Sequence, residues 1–228
     1  MLRYLIVLIG SATFALTAHA LGVSDLTNTE AANGLKTALI QGADKAVTAL
    51  GKKDGFLGNK EVRIPLPSTI KKTEKTLRLL GMGKQLDELE LRMNRAAEAA
   101  VPEAKVLIVD AANKMTVTDA KAILNGGNDA ATQYFKKHTY APLADKFLPI
   151  VQKATLDVEL AQQYNKLIEV GSQYGVGKKD ELSIEQYITR KALDGLFLMV
   201  AKEEAAIRKD PIGQASSVIK KVFGAVGN

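Results

Sequence analysis

Beyond a short apolar leader, hydrophobic residues recur along the chain at intervals of three and four, with charged and amide residues between them. That spacing gathers them on one face of a 3.6-residue helix and predicts an all-α chain. Residues 29–50 give a first helix with Leu35, Ala38, Leu39, Ala46 and Leu50 as its stripe. A second runs from Ser68, the expected N-cap, to Leu80, and Gly81 and Gly83 separate it from a third over about 84–100. Pro102 opens a fourth at about 103–115 as a first-turn proline. Its VLIV run, 106–109, continues the helical propensity of its flanks and is expected to be apolar on all sides and therefore buried.

Thr116 or Thr118 caps a short helix that stops at Asn125-Gly126-Gly127, and Asn128 or Asp129 caps another reaching about His138. Pro142 and Pro149 bracket the next helix start, and an amphipathic segment follows over about 149–170. Residues 171–182, GSQYGVGKKDEL, read as a linker. Ser183 and Gln186 make a capping box for a helix to about Lys209, and Pro211 leads into a last helix ending near Phe223.

One stretch breaks the helical period. In GFLGNKEVRIPLP, 55–67, Val62, Ile64 and Leu66 alternate with Glu61, Arg63, Pro65 and Pro67. It reads as an extended segment laid across helices, its prolines barring a central strand. The expected fold is thus a single all-α domain of about eight to ten helices over residues 21–228, with this one extended segment.

Composition changes the picture mainly through the leader, MLRYLIVLIGSATFALTAHA, which carries Arg3, then an apolar run, then Ala18-His19-Ala20. This is the layout of a secretory signal cleaved after Ala20, with an apolar run short of the roughly 18–20 residues of a bilayer span. The chain has no cysteine, so neither disulfides nor a lipoprotein anchor is expected. The net charge of +6 is spread among acids, as in KKTEK and KKDE, and reads as a solvated surface. Export, the lack of tryptophan and the few aromatics argue against nucleic acid as a partner.

His138 is the one histidine left after the leader, which excludes histidine–cysteine metal clusters and leaves only His138 for any triad. Its setting, YFKKHTY, reads as a helix end at the surface. GMGKQ and NGGND lack the context of a phosphate loop and the acidic ladder of a calcium loop, and read as turns. No cofactor is expected.

Candidate chemistry rests on charged residues near apolar stripes. In LELRMNRAAEAA, 89–100, Leu89, Met93, Ala96, Ala97 and Ala100 share a face, Glu90, Asn94 and Glu98 form a row at its edge, and Glu88 pairs with Arg92. The simplest reading is an amphipathic helix whose charges are solvated. In the helix over 183–209, Ala192, Leu196, Met199, Val200 and Ile207 form a stripe that includes Glu203. A carboxylate there requires a partner, and Arg92 or Arg95 is the candidate. Arg92, Asn94, Arg95 and Glu203 are accordingly the expected ligand or packing network, while Tyr187, Arg190, Lys191 and Asp194 opposite form either a solvated face or a binding patch. Lys71, Lys75 and Arg78 on one helix side, and the tail SSVIKKVFGAV, suit contact with an anionic membrane surface.

GFLGNKEVRIPLP, LELRMNRAAEAA, GGNDAATQYF and KALDGLF followed by EEAAIRKDP resemble, in that order, a bacterial family catalogued as domain of unknown function 4197, over about residues 24–223. The resemblance implies an exported, mostly helical bacterial protein and carries no catalytic residues with it. The expectation is a protein of the Gram-negative periplasm that binds or interacts without a cofactor, with a small apolar or amphiphilic ligand or an envelope protein as partner. The competing expectation is an enzyme using Glu203 as general acid or base beside Arg92 or Arg95, and the third a structural role in envelope assembly.

Overall fold

A computed structural model describes residues 28–155, 158–173 and 183–210 of the chain. The leader, residues 174–182 of the expected linker, and the expected last helix with its SSVIKKVFGAV tail lie outside these residues. The described part is all-α, with helices α1 (Asn28–Gly51), α2 (Ser68–Leu79), α3 (Gly83–Ala100), α4 (Ala104–Lys114), α5 (Val117–Leu124), α6 (Ala130–Thr155), α7 (Val158–Gln173) and α8 (Ile184–Lys209). Residues 171–173, expected in the linker, still belong to α7. A 3-10 turn, Val101–Glu103, joins α3 to α4 around Pro102.

α6 and α8, of 26 residues each, form the central pair. α6 packs on α8, α3 and α4, and α8 also packs on α1 and α3. The α1 stripe, Leu35, Ala38, Leu39, Ala46 and Leu50, is buried as its spacing requires. Phe56, Phe135 and Phe147 are the largest side chains fully removed from solvent.

Local chemistry accounts for the starts of α2, α5 and α8. Thr116 accepts from the Asp119 amide at 3.1 Å and Asp119 accepts from the Thr116 amide at 2.9 Å, a capping box that starts α5. Ser183 and Gln186 do the same for α8, at 3.2 and 3.0 Å. Pro67, not Ser68, occupies the N-cap of α2; its restricted φ of −52° sets up the first turn, which Ser68 then begins.

The helix expected to stop near His138 continues to Thr155 through Pro142 and Pro149. Both prolines are exposed and seven residues apart, as are residues 138 and 145, whose carbonyls lose their amide partners. Water can serve those carbonyls, so each proline interrupts only the wet side of the helix. The buried positions of α6, Phe135, Thr139, Leu143, Phe147, Val151 and Thr155, recur at every fourth residue. On a helix of 3.6 residues per turn that stripe drifts by about 40° per step, so it meets successive neighbours, and no single apolar face stands out in the sequence.

The VLIV run lies in α4 as expected, but it is not buried on all sides: Ile108 is enclosed while Val106 is 67% exposed. The expectation of an extended 55–67 segment holds only for residues 63–67. Residues 55–62 form successive turns, with Gly58 donating to the Asp54 carbonyl at 3.0 Å and Arg63 to the Asn59 carbonyl at 2.8 Å. Val62, Ile64 and Leu66 are buried and Glu61 and Arg63 exposed, as the alternation predicts.

Candidate functional site

The row Glu90, Asn94 and Glu98 on α3 faces the 55–67 segment, its turns and its extended end alike, rather than solvent. Asn94 accepts from the Ile64 amide at 2.8 Å and donates to the Ile64 carbonyl at 2.9 Å. Its second amide hydrogen goes to the Glu90 carbonyl at 2.8 Å. One turn on, Glu98 accepts from the amides of Phe56 and Leu57 at 3.0 and 3.2 Å. One turn back, the Glu90 carboxylate accepts from Arg63 at 2.8 Å. Three side chains at four-residue spacing thus hold the segment along its length, and the two deeper ones, Asn94 and Glu98, are buried. The expectation that this row is a solvated helix edge is therefore corrected: it replaces the backbone partners that prolines deny the segment.

Arg95 completes the arrangement. It donates to Glu98 and to Asp54, both at 2.6 Å, and the Glu98 contact, followed by Asp54, raises its pKa above the ordinary arginine value. Asp54 sits at φ +66°, a left-handed conformation that aspartate tolerates better than most residues. From the opposite side, Tyr187 of α8 donates to the Pro65 carbonyl at 3.0 Å. Gly195 of α8 lets the segment approach, since a Cβ there would lie 2.8 Å from Phe56 Cε1 and 3.2 Å from Val62 Cβ.

The sequence-predicted network divides. Asn94 and Arg95 act together on the segment, as above. Arg92 pairs with Glu88 at 2.6 Å, as its spacing predicts. Glu203 is only partly buried and lies 4.0 Å from Lys45, so its expected pairing with Arg92 or Arg95 is not found. The buried carboxylate of α8 is the next residue, Glu204.

Glu204 accepts from the Ala131 and Thr132 amides at 2.9 and 2.8 Å and from the Thr132 hydroxyl at 2.8 Å. These are first-turn amides of α6, so Glu204 performs from another helix the task of an N-cap side chain. Arg208 holds Glu204 at 2.9 Å and donates to the Ile123 carbonyl of α5 at 2.8 Å. The carboxylate thus meets the positive end of one helix dipole and the guanidinium the negative end of another. The space beside Glu204, lined also by Leu39, Gly42, Ala43 and Ile207, amounts to about 10 Å³. That is about one water's worth, too little for a substrate.

A larger concavity lies between α6 and α8. It has a volume of about 310 Å³ and is lined by Tyr140, Ala144, Leu148 and Leu193 with Asp145, Gln186, Thr189 and Arg190. Tyr140 stacks on Phe197 with ring centroids 6.2 Å apart. Burial, with Asp194 adding and Arg190 opposing, raises its pKa above the ordinary tyrosine value, so its hydroxyl is protonated at neutral pH. Thr189 is 5% exposed, and its hydroxyl oxygen is enclosed without a hydrogen-bond partner. Other helical threonines here bond the carbonyl four residues back, Thr139 to Phe135 at 2.7 Å and Thr155 to Val151 at 2.9 Å.

His138 is exposed, as expected, but lies within α6 rather than at a helix end, with its ring centroid 4.4 Å from that of Tyr134. Among the described residues no group of three histidine or acidic side chains is placed to hold a metal ion, and no helix is long and apolar enough to cross a membrane.

Sequence reasoning placed Glu98 only on a solvated edge and missed Glu204, Arg208 and Thr189. The pair Glu204–Arg208 carried a signal in its four-residue spacing. Thr189 carried none, because an unpartnered hydroxyl is a property of the packed structure.

Compared with known proteins, residues 25–224 match the family model described as protein of unknown function (DUF4197). No curated protein and no solved structure matches the chain.

Proposed function

The chain belongs to the DUF4197 family, and from that premise we propose that it is a non-enzymatic binding protein that takes a small amphiphilic ligand in the groove between α6 and α8. The proposal places it in the periplasm of a Gram-negative bacterium, after removal of residues 1–20.

The Thr189 hydroxyl carries this reading. A buried hydroxyl with no partner is unfavourable by about 1–3 kcal/mol, and this one is enclosed on a residue that lines a groove of about 310 Å³. A ligand's polar group there supplies the missing hydrogen bond. Arg190, Gln186 and Asp145 offer further polar contacts, while Tyr140, Ala144, Leu148 and Leu193 receive an apolar body. Few polar groups around an apolar floor is the usual composition of a small-molecule site.

The enzyme reading loses its support. Glu203 has Lys45 rather than an arginine beside it and does not line the groove, and Glu204 is enclosed and fully engaged.

Titration of the protein with a dansylated fatty acid tests the reading. Saturable enhancement of dansyl emission is expected, lost in Ala144→Trp, which fills the groove, and weakened roughly tenfold in Thr189→Val, which removes one hydrogen bond. Binding unchanged in both variants would overturn it.

A further inference from the structure

The turn joining α2 to α3 carries features that the groove does not use. Leu79 is 88% exposed and Leu80 49%, the first ending α2 and the second following it. On α2, Lys71, Lys72, Lys75 and Leu79 fall within an arc of about 100°, opposite the buried Thr69, Ile70, Thr73 and Leu77. The three lysines are exposed. No ion pair of these lysines is found among the described residues, and Glu74, the one acidic residue of α2, and Asp87 of α3 both accept from Arg78 instead, at 3.0 and 2.7 Å. Three exposed lysines outside any ion pair among the described residues therefore adjoin two leucines open to solvent.

We propose that this tip attaches the protein to an anionic phospholipid surface. The lysines lie against the headgroup phosphates, and Leu79 and Leu80 enter the boundary between headgroups and acyl chains. Charge complementarity selects this occupant. Each lysine near an anionic bilayer adds about a factor of five in affinity, and burial of a leucine adds at least as much. The flexible lysine stems also let the apolar parts settle below the charges.

Sedimentation of the processed chain, its N terminus verified by intact mass, with phosphatidylcholine vesicles containing or lacking phosphatidylglycerol tests the proposal. Binding is expected on the anionic vesicles alone and weakens as salt rises. The triple substitution Lys71→Gln, Lys72→Gln, Lys75→Gln, at exposed positions, reduces it on the order of a hundredfold. The chain has no tryptophan, so Leu79→Trp provides a single reporter whose emission shifts to the blue on anionic vesicles. Equal binding to both vesicle types, no binding to either, or an unshifted reporter overturns the proposal. So does a dimer in sedimentation equilibrium that Leu79→Asp dissolves, since the leucines would then cover a second copy.

Discussion

Asn94 and the backbone of Ile64 exchange two hydrogen bonds, at 2.8 and 2.9 Å, so one side-chain amide does for the extended segment what a neighbouring strand does in a sheet. The relationship is non-local, 30 residues apart, and lies in the buried interior.

Asn94→Ala leaves both Ile64 groups without partners in a site that excludes water. A loss of about 3 kcal/mol is expected in urea denaturation, since each orphaned buried group is unfavourable by roughly 1–3 kcal/mol. A loss under about 1 kcal/mol would mean that the segment is held by its apolar residues alone.

Glu204→Ala removes the partner of two α6 amides and the carboxylate of the buried pair with Arg208. Breaking a buried pair from one side typically destabilises by about 3–5 kcal/mol, and the same range is expected here. Glu203→Ala, one residue earlier and partly exposed beside Lys45, should change stability by under about 1 kcal/mol. Similar losses from the two substitutions would contradict the assignment of roles.

The fold was largely legible in the sequence, and the roles of the charged residues less so. Period-3.6 stripes mark α1 and α3 plainly, and the alternation of Val62, Ile64 and Leu66 marks the extended segment. α6 was divided at its prolines because the rule that proline ends a helix presumes a buried carbonyl four residues back, and exposure of residues 138 and 145 relaxes that condition. Glu203 and Glu204 differ by about 100° around α8, less than a wheel without neighbours can decide. The Glu90–Asn94–Glu98 row looked solvated because nothing local announces a segment arriving from 27–42 residues earlier in the chain.

Gly195→Ala sets helix propensity against packing. Propensity favours alanine by about 1 kcal/mol, but the added methyl meets the Phe56 ring at 2.8 Å, where the ring is fully buried. Overpacking is unfavourable by about 1–3 kcal/mol, so a net destabilisation of roughly 1 kcal/mol is expected in thermal unfolding. A stabilised variant would show that the segment can withdraw from α8.

Asp119 links stability to pH. The Thr116 hydroxyl and then the Thr116 amide, by hydrogen bonding to its carboxylate, hold its pKa below the ordinary value of 3.8. Because the folded pKa is the depressed one, the stabilisation is fully present above the unfolded value and is lost as pH falls through the folded value. The stability difference between the native chain and Asp119→Ala should therefore be constant from neutral pH to about pH 5 and shrink at lower pH. A difference independent of pH would exclude the ionised carboxylate as the cap's stabilising form.

Thr189→Val separates a binding hydroxyl from a structural one. Replacing an enclosed, unpartnered hydroxyl by a methyl should stabilise the empty protein by roughly 1 kcal/mol. Destabilisation would mean that the hydroxyl already has a partner in solution.

The most direct measurement of the central claim is native mass spectrometry of the processed chain recovered from the periplasm, beside its Ala144→Trp variant, with solvent extraction of whatever accompanies them. The predicted result is a stoichiometric small amphiphile on the native chain that is missing from the variant with the filled groove. A native chain that carries no small molecule, or the same molecule retained by Ala144→Trp, would contradict the α6–α8 groove as the binding site.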